Sequence, residues 1–264
     1  VSGTAITASY GAMTGVLTLY GTDTVAAYQQ VLRTVTYQNA STAPSTTPRS
    51  ITFVASDGIG SSAVQSTTVT VISVNEVPIL DLSGPGVAGY DHADTFTEGG
   101  AAVLLATATA TVTDADGDLL VSITVTLTNL LDGANEALAA DTTGTAIAAA
   151  YDPATGVLTL NGLDTAAAYQ QVLRTLTYEN VSSTLTMTPR LITFVASDGT
   201  GVSALRTTTI AMVAVDDAPV IDLNGPAPGT DFTTNATEDA SPVALAAPDA
   251  TLTDPEGDPI ESLT

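Results

Sequence analysis

The chain has 264 residues and carries 28 acidic side chains against five basic ones, all arginine, for a formal net charge of −23. This charge argues against nucleic acid and anionic membranes as partners, because both bind basic surfaces, and it favours cations. Cysteine is absent and 44% of the residues are hydrophobic, which excludes disulfides and thiolate metal sites but leaves enough apolar side chains for folded cores. No apolar run approaches the roughly 20 residues of a membrane-spanning helix.

A tandem repeat dominates the sequence. Residues 3–85 align with residues 144–226 at a constant offset of 141, with 50 identities in 83 positions and no gap, and after Pro85 the offset falls to 140. Such a fixed period indicates structural units stacked along the chain. We predict the C-terminal part of one repeat (1–77), a complete repeat (78–218) and the N-terminal part of a third (219–264).

The pattern within the complete repeat favours β-structure. Residues 121–128 alternate between apolar and Ser or Thr side chains, which is typical of a strand with one buried and one wet face. Runs rich in Thr and apolar residues follow at 156–162, 191–196 and about 204–215. Turn residues separate these runs at the intervals typical of a sandwich, so we predict an all-β fold of tandem β-sandwich repeats of about 141 residues.

One segment departs from the β pattern. Thr165 precedes residues 166–173, in which Tyr169 shares an apolar stripe with the residues three and four positions later. This spacing predicts a short helix capped by the threonine, with the tyrosine in the core. The same pattern follows Thr24, so we predict one short helix in each repeat.

Three carboxylates, those of Asp114, Asp116 and Asp118, lie within five residues in the sequence T-D-A-D-G-D. Ca²⁺ relieves the repulsion between them, because it takes oxygen ligands from closely spaced acids in glycine-bent loops. A solvated acidic turn is the alternative, since Asp and Gly are common turn formers. The pattern recurs about 140 residues later, and this recurrence favours calcium as the cofactor; the second copy supplies Asp254, Glu256 and Asp258.

The ordered set of sequence motifs resembles a known family. The motifs include G-V-L-T-L, A-Y-Q-Q-V-L-R-T, I-T-F-V-A-S-D-G and a closing V-D-D-A-P, and together they span essentially the whole chain. They are similar to the cadherin-like (chondroitin-sulfate-proteoglycan-type) tandem repeats of large calcium-dependent bacterial surface adhesins and matrix proteins. The resemblance implies extracellular modules with a cadherin- or immunoglobulin-like β-sandwich fold, stacked end to end at the cell surface.

The resemblance also extends the predicted calcium sites to the joints between repeats. It implies ligands from the linker acids, from the acidic turn early in each repeat and from the late Ser-Asp-Gly turn. The first joint departs from the family pattern, because Asn-Glu replaces Asp-Asp there. We expect Asp114, Asp116 and Asp118 to lie near Asn75, Glu76, Glu98 and Asp57, and a second cluster to contain Asp254, Glu256, Asp258, Asp216, Asp217, Glu238 and Asp198.

Catalytic chemistry finds little support in the sequence. The single histidine, His92, lies in a Gly- and Asp-rich stretch that predicts an exposed loop, and one histidine without cysteine does not complete a zinc site. Paired carboxylates can cleave glycosides, but tryptophan is absent and aromatic residues make up only 5% of the chain, so an aromatic-lined sugar cleft is not expected. We predict a protein that is not an enzyme.

Three functions remain in competition. The first is a structural or adhesive module of a long surface protein, stiffened by Ca²⁺ at the joints. The second is a subunit of a self-assembling extracellular filament or surface lattice. The third is a carbohydrate-binding module, which is disfavoured because Thr- and Ala-rich strands offer no aromatic platform.

The expected partners are neighbouring repeats of the same protein, arranged head to tail, with other surface proteins or glycans as further candidates. We expect no nucleic acid partner and no membrane insertion. The partial repeats 1–77 and 219–264 are complementary, because the first carries the late part of a repeat and the second the early part. We expect either an excerpt of a longer repetitive protein or completion of one chain by the next through strand addition.

Overall fold

A computed structural model describes residues 1–239 and 241–264 and divides the chain into two compact units, Val1–Ser73 and Val74–Thr264. Seventeen β-strands and two eight-residue α-helices form most of the regular structure of the described residues. The prediction of an all-β fold with one short helix in each repeat is therefore confirmed. In the described residues, neither helix is long or apolar enough to cross a membrane.

The first unit contains two strand pairs and one helix. Strand β1 (Thr7–Gly11) pairs with β2 (Val16–Tyr20), and β3 (Arg49–Phe53) pairs with β4 (Gln65–Val69), both antiparallel. Helix α1 (Val25–Leu32) lies between the two pairs in sequence. These elements match the late part of the complete repeat, as the alignment predicts.

The second unit contains the complete repeat. Its strands are β5 (Ile79–Asp81), β6 (His92–Thr97), β7 (Val103–Leu104), β8 (Thr111–Thr113), β9 (Leu120–Leu127), β10 (Glu136–Ala139), β11 (Ala148–Asp152), β12 (Val157–Asp164), β13 (Thr177–Asn180), β14 (Arg190–Ser197) and β15 (Arg206–Val213). A 3₁₀ turn (Gly133–Asn135) precedes β10, and helix α2 (Ala166–Leu173) follows β12. After β15 come two short paired strands, β16 (Val220–Asp222) and β17 (Thr251–Thr253).

The largest sheet has the strand order β11-β12-β9-β14-β15-β6. All its pairs are antiparallel except β15 with β6, which run parallel. Strand β9 lies between β12 and β14, so that Val125 is opposite both Leu158 and Phe194. Ile123, Val125 and Leu127 are buried as the alternation predicts.

Two details of this sheet differ from expectation. Leu120 is buried and Val121 only half-buried, because the pairing of β9 with β12 shifts register between Asn161 and Asp164. His92 is not in an exposed loop. It is the half-buried first residue of β6, since the parallel pairing with β15 extends back to include it opposite Thr208.

Smaller elements cover one face of the large sheet. Strands β10, β13 and β7 form a second sheet, and β5 pairs with β8. Tyr178 of β13 meets Phe96 of β6 edge to face, with ring centroids 5.6 Å apart, so both sheets contribute to one core. Helix α2 adds Tyr169, which is fully buried and donates a hydrogen bond to the Gly162 carbonyl at 2.7 Å. This confirms the predicted core role of the tyrosine.

The helix cap also agrees with prediction. The Thr165 hydroxyl accepts a hydrogen bond from the Ala168 amide at 3.2 Å, satisfying one of the free N–H groups at the helix start. In the first unit, Thr24 accepts in the same way from Ala27. The two copies of this short sequence therefore form the same capped helix.

Candidate functional site

The first acidic cluster forms where three turns meet at one end of the complete repeat. We define it as Asn75, Glu76, Asp114, Asp116 and Asp198. The first two residues lie in the joint just before β5, the aspartates at 114 and 116 in the turn between β8 and β9, and the last in the turn after β14. Sequence distances of up to 123 residues separate these groups, so the fold brings them together.

The turn after β8 is organised by one carboxylate. Oδ1 of Asp114 accepts hydrogen bonds from the amides of Asp116 at 3.1 Å and Asp118 at 3.2 Å. Gly117 adopts φ +76°, a conformation that favours glycine. The backbone thus wraps around one oxygen of Asp114, while the other oxygen, Oδ2, is buried without a hydrogen-bond partner.

The joint contacts this turn directly. The amide of Glu76 donates to Oδ2 of Asp116 at 2.6 Å. The pKa of Glu76 is raised, first by the interaction of its side chain with that of Asp116 and then by burial and by the charges of Asp116 and Asp114.

The turn after β14 completes the cluster. The Asn75 side chain donates to Oδ2 of Asp198 at 3.0 Å, and the amides of Thr200 and Gly201 both donate to its Oδ1 at 2.6 Å. Burial acts to raise the pKa of Asp198, but these hydrogen bonds outweigh it and lower the pKa. A Cβ at Gly201 would lie 2.5 Å from Val77, so glycine permits the close approach to the joint.

Buried oxygens without hydrogen-bond partners mark the joints. Among the described residues there are four such side-chain atoms, Glu76 Oε2, Glu98 Oε1, Asp114 Oδ2 and Asp116 Oδ1. Burying an uncompensated carboxylate oxygen is costly, so such atoms usually have a partner. The two ion pairs found in the described structure both use Arg190, far from these joints in sequence. A cation from solution would supply the missing partner.

The second acidic cluster lies at the other end of the complete repeat. It contains Glu98, Asp217 and Glu256, one oxygen from each lying within 4.8 Å of the other two. Glu98 Oε2 accepts from the Val215 amide at 3.0 Å, which holds the side chain against the second joint. The Asp254 turn repeats the geometry of the first, since its Oδ1 accepts from the Asp258 amide at 2.9 Å.

The two clusters are related by the repeat. Glu76 of the first joint aligns with Asp217 of the second, and Asp116 aligns with Glu256. In both clusters, one glutamate and one aspartate face each other between the joint and the turn. The glutamate comes from the joint in the first cluster and from the turn in the second. This exchange keeps the combined reach of the two side chains.

Three predicted residues lie elsewhere than expected. Glu98 belongs to the second cluster, because β6 runs parallel to β15 and both end at the second joint. Asp198 belongs to the first cluster, because β14 runs antiparallel to β15 and ends at the opposite edge. Asp57, the copy of Asp198, follows β3 where β4 begins, so it lies away from the end of β4 that leads to the joint.

The remaining predicted ligands lie at the surface. Asp57 accepts from the amides of Gly60 and Ile59, which lower its pKa and show that it stabilises its own turn. Four other predicted residues, Asp118, Asp216, Glu238 and Asp258, are exposed. Their side chains are free to move toward a ligand, but the fold does not fix them in place.

Two contacts of the site were not predicted. The Asn75–Asp198 hydrogen bond and the Val215 amide that holds Glu98 both depend on strand directions. Asp198 follows β14, the antiparallel neighbour of β15, and β15 leads to the second joint. The order of strands in the repeat was therefore a usable signal that Asp198 lies at the end opposite that joint. The side-chain atoms of both clusters that could ligate a metal ion are all oxygen atoms, the ligands that hard divalent cations such as Ca²⁺ prefer.

Comparison with protein-family models gives no match, and comparison with curated proteins gives no significant match. The likeness to cadherin-like repeats therefore stays a prediction drawn from sequence motifs.

Proposed function

We propose that this chain is a non-catalytic structural module of a long, repetitive extracellular protein, in which Ca²⁺ binds at the joints between successive repeats. The observation that carries the proposal is that the buried side-chain oxygens without hydrogen-bond partners, within the part of the chain that the structure describes, all belong to acids at the two joints. A bound divalent cation satisfies these oxygens and neutralises acids that otherwise repel one another.

The location of the clusters supports a mechanical role. Each cluster joins the linker to a turn of the following repeat, as Glu76 does with Asp116. The second cluster also includes Glu98 from the preceding repeat. A cation held by such a set ties two repeats and their linker together, and this restricts bending at the joint.

The size of the effect follows from typical affinities. Extracellular modules bind Ca²⁺ with dissociation constants of about 10⁻⁴–10⁻³ M. At about tenfold excess of Ca²⁺, each site adds roughly 1.4 kcal/mol to the free energy of unfolding. This is modest for one site but accumulates along an array of many repeats.

We expect Ca²⁺ to raise the melting temperature of the purified protein and a chelator to reverse the increase. Replacing both Glu76 and Asp116 by their amides should abolish most of the effect at the first joint, since the amides remove both charges while keeping similar shapes. Thermal melts and calorimetric titration with Ca²⁺ and with Mg²⁺ measure the response. Mg²⁺ should bind more weakly, because it requires tight octahedral geometry.

The matched control is Glu179→Gln, which removes one charge from an exposed position of β13. This variant should keep the full response to Ca²⁺. Identical melts with Ca²⁺ and with chelator, or equal loss of binding in the control, would contradict the proposal.

A further inference from the structure

The first acidic cluster has two sides, and their oxygens are satisfied differently. On one side lie buried oxygens without hydrogen-bond partners, which belong to Glu76, Asp114 and Asp116. On the other side lies Asp198, whose Oδ1 accepts from two amides of its own turn and whose Oδ2 accepts from the side chain of Asn75. The first side lacks a positive partner, whereas both oxygens of the second side already have donors.

The Asn75 side chain uses its amide group to reach both the turn and the linker. Its Nδ2 donates to Oδ2 of Asp198 at 3.0 Å and to the Glu76 carbonyl at 3.4 Å. Although burial acts to raise the pKa of Asp198, its hydrogen bonds lower the pKa, so the carboxylate that Asn75 meets is ionised at neutral pH. Hydrogen bonds to an ionised acceptor are stronger than those between neutral groups.

Packing supports this contact. Asn75 and Asp198 belong to the same compact unit, Val74–Thr264. A Cβ at Gly201 would lie 2.5 Å from Val77 and 3.6 Å from Nδ2 of Asn75, so the backbone of the turn approaches the linker closely. The linker is therefore held against the turn after β14 by close packing as well as by a hydrogen bond.

We propose that Asn75 anchors the linker to the turn after β14 without a metal ion and takes the place of a cation on this side of the first joint. The amide donates to the carboxylate of Asp198, and a bound cation would fill the same role between two acids. At the second joint the copy of Asn75 is Asp216. An ionised carboxylate has no hydrogen to donate, so the identity of residue 75 decides whether this side of the joint depends on a cation.

The anchor divides the response of the joint to chelation. This consequence rests on the proposed function, since it includes a cation bound at Glu76, Asp114 and Asp116. Removing that cation frees the acids on its side, but the linker stays attached to Asp198 through Asn75. The first joint is then partly restrained even without Ca²⁺.

The test changes the amide of Asn75 to an acid in the full 264-residue protein. Asn75→Asp keeps the size of the side chain, removes its donor and places a second carboxylate beside Asp198. Gln171→Glu is the matched control, because it makes the same change of amide to acid at an exposed position of α2 in the same repeat. Gln171 also donates a hydrogen bond, at 3.0 Å, but its acceptor is the Thr143 carbonyl and not a carboxylate.

In chelator at pH 7, Asn75→Asp should melt about 2–4 °C below the wild type, the shift that losing one such interaction causes in a protein of roughly this size. Gln171→Glu should melt close to the wild type. Saturating Ca²⁺ should remove most of the deficit of Asn75→Asp, because a cation then binds between the two carboxylates.

Nuclear magnetic resonance of the wild type measures the anchor directly. The side-chain NH₂ signals of Asn75 should keep their positions and their slow exchange with solvent both in Ca²⁺ and in chelator. The backbone amide signals of Glu76 and Asp116 should shift between the two buffers, because these residues lie on the side that binds the cation.

Equal melting of Asn75→Asp and the wild type in chelator overturns the inference. So does a deficit that Ca²⁺ leaves unchanged, or an Asn75 NH₂ group that loses its protection when Ca²⁺ is removed. The proposed function fails separately, through Glu76 and Asp116 signals that do not respond to Ca²⁺. The melts in chelator contain no Ca²⁺ and still test the anchor in that case.

Discussion

At the residue scale, Glu76 lies beside a second acid at the first joint. Its amide donates to Asp116. The interaction of its side chain with the same aspartate, together with burial and nearby negative charge, raises the pKa of Glu76. An acid with a raised pKa binds its proton more tightly in the folded protein than in the unfolded chain. Its stabilising contribution is therefore present at low pH and is lost as the pH rises through the folded-state pKa.

The raised pKa predicts the behaviour of Glu76→Gln, in which an uncharged amide imitates the protonated acid. Without Ca²⁺ at pH 7, the variant should melt at a higher temperature than the wild type, because the unfavourable charge is gone. The difference should shrink as the pH falls and Glu76 takes up its proton. With saturating Ca²⁺ at pH 7 the order should reverse, because the ionised acid then has a cation to bind.

Thermal melts between pH 5 and pH 7, with and without Ca²⁺, measure this pattern. Aspartates with lowered pKa values, such as Asp198 and Asp164, contribute in the opposite direction and act equally in both proteins. The comparison therefore uses the difference in melting temperature between the wild type and Glu76→Gln at each pH. A difference that does not change with pH would exclude the raised pKa.

At the element scale, Arg190 joins β14 to β10 and to the turn before it. Its fully buried guanidinium bonds to Asp132 at 2.6 Å and to Glu136, and it also donates to the Thr186 carbonyl at 2.8 Å. The Tyr178 hydroxyl donates to Glu136 at 2.7 Å. Every charged group of this network has a partner, so removing one member leaves others buried and unpaired.

We expect Arg190→Ala to reduce the free energy of unfolding by about 3–5 kcal/mol, the usual penalty for breaking a buried ion pair. The repeat provides the control, because Arg49 is the copy of Arg190 in the first unit and donates to the carbonyls of Ser45 and Thr47. Arg49→Ala should cost less than about 1 kcal/mol, since it leaves no acid buried. Urea unfolding followed by circular dichroism measures the free energy of unfolding of both variants. Equal losses in Arg190→Ala and Arg49→Ala would argue against a special role for the network.

At the scale of the whole molecule, negative charge is concentrated in the complete repeat and in residues 219–264. The complete repeat, residues 78–218, carries 16 acids and three arginines, a net charge of −13. Its two ends hold the two acidic clusters, so the repulsion is strongest where repeats meet. Under the proposed function, a divalent cation bound there would lower the repulsion and restrict the joint at the same time.

We therefore expect Ca²⁺ to narrow the range of conformations seen by small-angle X-ray scattering and a chelator to widen it. Replacing both Glu98 and Glu256 by Gln should weaken the response at the second joint, because these side chains and Asp217 form its cluster. Sodium chloride at equal ionic strength controls for general screening of charge. Scattering profiles that are identical with Ca²⁺ and with chelator would contradict a stiffening role.

The sequence by itself determined the local features of this protein. The period-two alternation predicted β9, and the Thr165 cap with its apolar stripe predicted α2, because backbone periodicity and capping act within a few residues. The alignment of the two copies predicted that the first unit repeats the elements of the second. The acidic turns at Asp114 and Asp254 were also visible, since their residues are adjacent in the chain.

Only the tertiary structure decided which acids meet. Glu98 and Asp198 exchanged clusters relative to prediction because the directions of β6 and β14 relative to β15 place their ends at opposite edges of the sheet. The direction of β6 depends on its pairing with β15, more than 100 residues away in the sequence, whereas β14 and β15 are consecutive strands. Likewise, a single arginine after a proline gives no sign that Arg190 is buried with two acids, because those partners come from the distant segment 132–136.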